Sequence, residues 1–510
     1  YKNMVKNGKA VQASANHGCG ELSCQFTLLA LPTPGNNLAQ LETIIRASLD
    51  EFESRGGATD DDIERVKAGI VSGMVYGLES VSGKVSQLAA YETYRSNPDG
   101  ISDDIARYEN VTKDDVMRVY KTFIKDKHSV VMSIVPKGQA DSIVKADTWQ
   151  RYERNIPENI GDSSLVLRPG VSDFDRTVVP PSGNNPSITV PDIYRVDIKN
   201  GIKVLGAINE EVPTTTIQLL IPAGQTREGI DKLGLASLTA SMLEESTLKS
   251  TAEELSNQLQ KLGSTVSFGA GDKFTTLRIR TLSKNLDPTL AIAMERLTLP
   301  KFDAADFERL KKQQIEGLKN AKKNASPMAT EIFNKLVYGF DNSFAHSNSG
   351  TITTVKTLTL DDVKGFYKAN YGPGNAEIIV VSDLDEKSIT KRLKSLNNWK
   401  GQSTEMPAIK AFPELAVGTL YFIDKPDAAQ SEIRIGKRAL KYDATGEYYR
   451  TDLMNYNLGG AFNSRINLNL REDKGYTYGA SSFFNGNDFR GAFRAQAGVR
   501  ADTTADSILQ

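Results

Sequence analysis

Apolar positions recur every three to four residues through 37–54, 59–78 and 82–96, the period of amphipathic helices. Two runs ahead of them, KAVQASAN and SCQFTLLA, predict strands. Another helix starts at Thr112, where TKDDVMRVYK sets Thr as N-cap with Asp three positions on, and SVVMSIV from Ser129 predicts the strand that it feeds. From about 146 to 191 the periodicity dissolves, and VVPPSGNNPSITVP from Val178 predicts an extended linker. A second series follows. YRVDIKNGIKVLGAINE reads as a hairpin turning at Asn200-Gly201, then come the strand TTTIQLLIP, helices between Leu233 and Leu262, a strand pair, helices to about Phe340, and a final helix and strand. Past about Pro407, YFIDKP and SEIRIGKRA predict the strands of a last block. The layout is therefore 1–145, a linker at 146–191, 192–405 and 406–510, and the predicted class is α+β, each domain a largely antiparallel sheet packed with helices.

The pattern contains a duplication. Thr112 to Lys121 and Thr359 to Lys368 (TLDDVKGFYK) share six of ten residues, and without a gap SVVMSIV pairs with AEIIVVS from Ala376. DIERVK from Asp62 matches DFERLK from Asp306 in the same order. A weaker match joins the two ends of the chain. Gly8, Ala13, Ser14, Phe26 and Ala30 recur at one offset as Gly475, Ala480, Ser481, Phe493 and Ala497, with Val11 standing where Tyr478 recurs.

Composition narrows the function. At 510 residues the chain exceeds one core and suits three or so domains, since single cores rarely pass about 250 residues. A net charge of −1 gives no reason to expect nucleic acid or an anionic membrane as partner, and no apolar run reaches the roughly 20 residues of a membrane helix. The chain opens at Tyr1, so a signal peptide or anchor could precede it. The two cysteines, Cys19 and Cys24, are close enough to be joined across a hairpin, which would suit an oxidising compartment such as a bacterial periplasm or cell envelope; two free thiols fit as well. A metal pair there would want a further Cys or clustered His, and the three histidines, His17, His128 and His346, are scattered in sequence.

The densest chemistry lies in LGGAFNSRINLNLREDKGYTYGA, from Leu458 to Ala480. Asn463 and Ser464 can cap a short helix carrying Ile466 and Leu470, Gly475 can stop it in the left-handed conformation, and Tyr476 and Tyr478 then fall on one strand face. Arg471 and Tyr478 flank this helix-to-strand corner, either as a salt-bridged helix end beside a half-buried tyrosine or as a cation and a phenol converging on one point.

This segment resembles the late motif of the insulinase/pitrilysin family of zinc metallopeptidases, in which an LGGG-like opening leads to LRE, then Gly, then Tyr seven residues after the Arg. The resemblance implies metallopeptidase-like domains repeated along the chain, spanning the second to fourth of that family's four and incomplete at both ends. It also implies that Tyr478 donates to the oxyanion forming at a scissile carbonyl, and that Arg471 holds a substrate carbonyl or carboxylate.

The family holds zinc on a helix bearing His-x-x-Glu-His with a distal Glu. The matching helix here, GLASLTASMLEEST from Gly234, has Ser237, Ala240 and Ser241 at those positions, and the distal position falls at Glu316 or Gly317. It reads as a core helix with a Leu235, Leu238 and Met242 stripe, ending in a solvated Glu244-Glu245 pair. The expectation is thus a wall of a clamshell chamber in a zinc metalloendopeptidase acting on peptides or unfolded segments. This chain would carry no cofactor of its own, and the zinc would come from an N-terminal domain upstream of Tyr1 or an equivalent subunit. The alternative is a non-catalytic structural or peptide-binding relative.

Overall fold

The computed structural model describes residues 2–150, 152–155, 166, 175, 177–179, 181–185, 187–402, 407–415 and 417–510. Much of the expected linker, 156–165 and 167–174 included, lies outside the described residues. The chain divides into two compact units, Tyr1–Gly57 with Met117–Pro191, and Ala58–Val116 with Asp192–Gln510.

In the first unit β1 (Ala10–Cys19) and β2 (Cys24–Pro32) form an antiparallel hairpin. The helix Leu38–Ser54 begins with a reciprocal Asn37–Gln40 capping box and seats Leu41 on Met4, Val5 and Ala10. Its far end carries Phe52, edge-on to Tyr120 at 5.0 Å, while the Tyr120 hydroxyl donates to Glu53 at 2.8 Å. Cys19 and Cys24 sit opposite each other at the hairpin tip and are joined as a disulfide.

The second unit centres on a six-stranded sheet made of β3 (Ile193–Asp197), β4 (Lys203–Ile208), β5 (Thr214–Ile221), β6 (Thr265–Ala270), β7 (Thr275–Leu282) and β8 (Glu377–Ser382). Its order is β3-β4-β8-β5-β7-β6, antiparallel except for β4 beside β8. The β3–β4 turn falls where Asn200-Gly201 predicted it, with Gly201 at φ 84°, a conformation glycine takes without a Cβ clash. Ile217 faces Ile279 on one side and Val380 on the other, and helices Leu235–Met242, Ala252–Lys261 and Leu286–Thr298 add Leu238, Leu255 and Leu290 to the same core. A separate three-stranded sheet, ordered β10-β11-β9, is built from β9 (Gln430–Arg438), β10 (Thr477–Gly486) and β11 (Gly491–Arg500). The mixed α and β architecture with mainly antiparallel sheets is the α+β class the sequence predicts. Among the described residues no helix is long and apolar enough to cross a membrane.

The duplication is visible in the element boundaries. Lys113–Phe123 and Leu360–Asn370 are helices of 11 residues, each opened by a Thr hydroxyl and an Asp carboxylate exchanging bonds with backbone amides. Asp60–Gly77 and Ala304–Ala321 are both 18 residues long. The hairpins at the two ends of the chain repeat one another. Gly8 and Gly475 stand at φ 67° and 63°, and the tip pair Cys19–Cys24 corresponds to Gly486–Gly491.

Two predicted strands do not form. SVVMSIV lies unpaired, Val130 being 96% and Ile134 81% exposed, whereas its twin AEIIVVS becomes β8. The difference is in the neighbours, because β8 inserts between β4 and β5 and satisfies both of its edges there. YFIDKP likewise pairs with no strand among the described residues and is largely exposed, with Phe422 at 85%.

Candidate functional site

The corner containing Arg471 and Tyr478 is assembled around buried asparagines. After the helix Glu447–Asn455 the chain widens into a π turn, Tyr456–Gly460, where Gly459 lies so close to β10 that a Cβ would collide with the backbone N and Oγ of Ser482. Asn455 fastens this approach in both directions. Its amide donates to the Ser482 carbonyl at 2.6 Å, and the Ser482 hydroxyl donates back to Asn455 Oδ1 at 2.5 Å. A short helix, Arg465–Asn467, then passes into a second π turn, Leu468–Asp473, which directs Ile466 and Leu470 onto Ala480, Ala497 and Val499. Asn467 is buried and ties the two parts together, its amide donating to the Phe462 carbonyl at 2.7 Å and its Oδ1 accepting from the Ala480 N–H at 2.9 Å. Gly475, at φ 63°, stops the turn as expected.

The expected cap is different in kind. Ser464 holds the N-cap position and is fully buried, but its side chain makes no cap hydrogen bond.

The two tyrosines do not share a face. β10 and β11 lose register between Thr477 and Ala480, an irregularity of the β-bulge type that breaks the period-two alternation. Tyr476 packs against the Leu470 cluster, and Tyr478 is 92% exposed on the edge strand. Thr477 fixes the bulge, its hydroxyl donating to the Gly498 carbonyl at 2.7 Å and accepting from the Gly479 N–H at 3.1 Å. Arg471 stacks over the Phe462 ring at 4.6 Å and pairs with Glu472 at 2.5 Å. Among the described residues no hydrogen bond joins the Arg471 and Tyr478 side chains. The Arg471 carbonyl accepts the Gly475 N–H at 3.1 Å, within the turn that leads into β10. Asn455, Asn467 and Thr477 were missed in the sequence; the available signals were two asparagines at apolar phases and a glycine inside a strand.

Ser237, Ala240 and Ser241 lie on the helix Leu235–Met242. The Ser237 hydroxyl donates to the Asn348 carbonyl at 2.8 Å, the Ser241 hydroxyl donates to the Ser237 carbonyl at 3.0 Å, and Ala240 is in the core. Neither hydroxyl is a zinc-type donor and Ala240 offers none, so these positions do not fit zinc. Glu316 pairs with Lys319 at 2.6 Å.

The pair Glu244-Glu245 is not a solvated helix end. Glu244 accepts the Phe268 N–H at 2.7 Å and burial raises its pKa, while Glu245 meets Arg309 at 2.6 Å, because the helix ends against β6 rather than in solvent. The start of the same helix holds an unpredicted carboxyl. Glu228 accepts the N–H groups of Gly234 at 3.1 Å and Ala236 at 2.5 Å, and burial pushes its pKa up to about 8 against the opposing pull of those bonds.

Residues 203–346 match the family model described as Insulinase (Peptidase family M16), and residues 357–510 match that of the Peptidase M16 inactive domain. A Rickettsia felis protein named "Uncharacterized zinc protease" is 23% identical over 305 residues, 60% of this chain and 73% of its own length. A Helicobacter pylori protein named "Non-peptidase homolog YmxG" is 22% identical over 279 residues, 54% of this chain and 63% of its own. The solved structure of a peptidase M16 inactive domain from Pseudomonas fluorescens superposes with a TM-score of 0.57 at 26% identity, covering 62% of this chain and 77% of that one.

Proposed function

From its insulinase-family fold, we propose that this chain forms the non-zinc wall of a zinc metalloendopeptidase, with Tyr478 and Arg471 as its contribution to the site. The observation that carries the reading is the Tyr478 phenol, turned into solvent on an edge strand by a bulge that Thr477 braces. A phenol held in this way can donate to the oxyanion that develops when a peptide carbonyl is attacked. Arg471, steadied on Phe462, can exchange Glu472 for a substrate carbonyl or carboxylate.

No step passes through a metal at the Ser237, Ala240 and Ser241 helix. Zinc and the base belong to another domain or to a partner subunit, and peptides or unfolded segments are the substrates. The second reading is a non-catalytic relative, favoured by the Helicobacter pylori protein whose name denotes a non-peptidase.

The test has two parts. With its disulfide intact, the purified chain is expected to bind no stoichiometric zinc and to cleave no fluorogenic peptide; chelator-sensitive cleavage would contradict the division of labour. In the assembly with a His-x-x-Glu-His domain, Tyr478→Phe is expected to lower kcat about 10²- to 10³-fold, the size of a lost oxyanion donor, with zinc content unchanged. Unchanged turnover removes Tyr478 from the chemistry, and an assembly inactive with wild-type chain supports the non-catalytic reading.

A further inference from the structure

The hairpin tip of the first unit brings together the chain's two cysteines and one of its three histidines. His17 and Cys19 are two apart on β1 and so share a face, and Cys24 is the cross-strand partner of Cys19 on that face. His17 Nε2 lies 3.4 Å from Cys19 Sγ, and the three donor atoms are all within 4.8 Å of one another. A tetrahedral zinc, with Zn–S of about 2.3 Å and Zn–N of about 2.0 Å, separates such donors by about 3.6 Å. All three side chains are exposed, so an ion can reach them.

The twin hairpin supplies the comparison. At the positions of His17, Cys19 and Cys24 it carries Phe484, Gly486 and Gly491, none of which is a ligand. Packing accounts for those glycines, because a Cβ on Gly491 would collide with the Leu440 carbonyl and one on Gly486 would press on Tyr448. The first tip is open at the same place, and there all three residues are donors.

We propose that this tip is a redox-gated site for a Zn²⁺-class ion, closed while the disulfide stands and opened by reduction. Thiol–disulfide exchange with a dithiol reductant breaks the Cys19–Cys24 bond. Each cysteine sulfur gains one electron and one proton, and the dithiol is oxidised to its own disulfide. The incoming ion displaces the two thiol protons to solvent, forming two thiolate bonds and one bond to His17 Nε2, with water in the fourth position. The site is structural or regulatory, separate from the Tyr478 corner in sequence and in unit.

The test uses the full 510-residue chain, reduced with a phosphine under anaerobic conditions and titrated with Co²⁺ alone, then with Zn²⁺ as competitor. The reduced chain is expected to bind one equivalent, with thiolate-to-cobalt charge-transfer and tetrahedral d–d absorption that Zn²⁺ abolishes; the oxidised chain should bind none. Cys19→Ser, which leaves Cys24 as the one thiolate of the site, should weaken both binding and the charge-transfer band, and His17→Ala should keep the band while weakening binding roughly tenfold or more. Circular dichroism shows whether each variant keeps its fold, which the exposed tip should allow. A reduced wild-type chain that binds no Co²⁺ overturns the proposal, and so does binding equally strong in the disulfide form or in Cys19→Ser. If His17→Ala binds like wild type, the proposed ligand set is wrong.

Discussion

Replacing Asn467 with alanine removes a side chain that bonds both the Phe462 loop and β10. Two hydrogen bonds are lost, at 2.7 and 2.9 Å. The bond to β10 is worth about 1 kcal/mol net, and the buried Ala480 N–H left without an acceptor adds about 1–3 kcal/mol. The Phe462 carbonyl adds little, since that residue is 67% exposed and water can replace the amide. The local loss is therefore about 2–4 kcal/mol. A chain of two units need not unfold in one step, so the measurement is native-state hydrogen exchange in peptides covering 476–486. Asn467→Ala should speed exchange there roughly thirtyfold to several hundredfold, at about 1.4 kcal/mol per decade. Asn463→Ala is the control. It alters an exposed residue of the same loop and should cost under about 0.5 kcal/mol. Equal exchange in the two variants would show that Asn467 does not hold β10.

Gly459→Ala should lower the midpoint of thermal unfolding of the second unit by the equivalent of about 1–3 kcal/mol, because the new methyl meets backbone of Ser482 that cannot swing aside; an unchanged midpoint refutes the close approach. Glu228 gives a pH dependence of definite sign. Its folded pKa of about 8 stands above the ordinary carboxyl value of 4.5, so the native state binds more protons between them and its contribution to stability, complete below 4.5, is lost as pH rises through 8. Melting curves of wild type and Glu228→Gln should therefore diverge from pH 5 to pH 8, the wild type falling more steeply. Parallel curves would mean that the two amide bonds, not burial, set the carboxyl. Tyr478→Phe, which removes only the exposed hydroxyl, should leave stability within about 0.5 kcal/mol, so that any lost turnover is chemical.

The sequence was most readable where one local rule acts alone. The Thr359–Asp362 box, the left-handed Gly475 and the hairpin at Asn200-Gly201 all follow from the chemistry of a few neighbouring residues. It was least readable where a residue's state depends on a distant neighbour. SVVMSIV and AEIIVVS are equally strand-like, and only the gap between β4 and β5 separates their fates. The Tyr476 and Tyr478 alternation failed for a related reason, since the bulge depends on the Thr477 bond to Gly498, 21 residues along the chain. Glu244 and Glu245 looked like a solvated end because charge suggests water, and Arg309 and the β6 backbone are invisible to helical periodicity.

The paired hairpins differ in how each resists fraying. A two-stranded ribbon opens from its ends, and among the described residues β1 and β2 have no third strand beside them. At the other hairpin, Leu440 and Tyr448 crowd the tip while β9 runs the length of β11. The Cys19–Cys24 bond therefore does by covalency what a neighbouring strand does in the copy, so the same hairpin is redox-sensitive at one end of the chain and indifferent to reductant at the other.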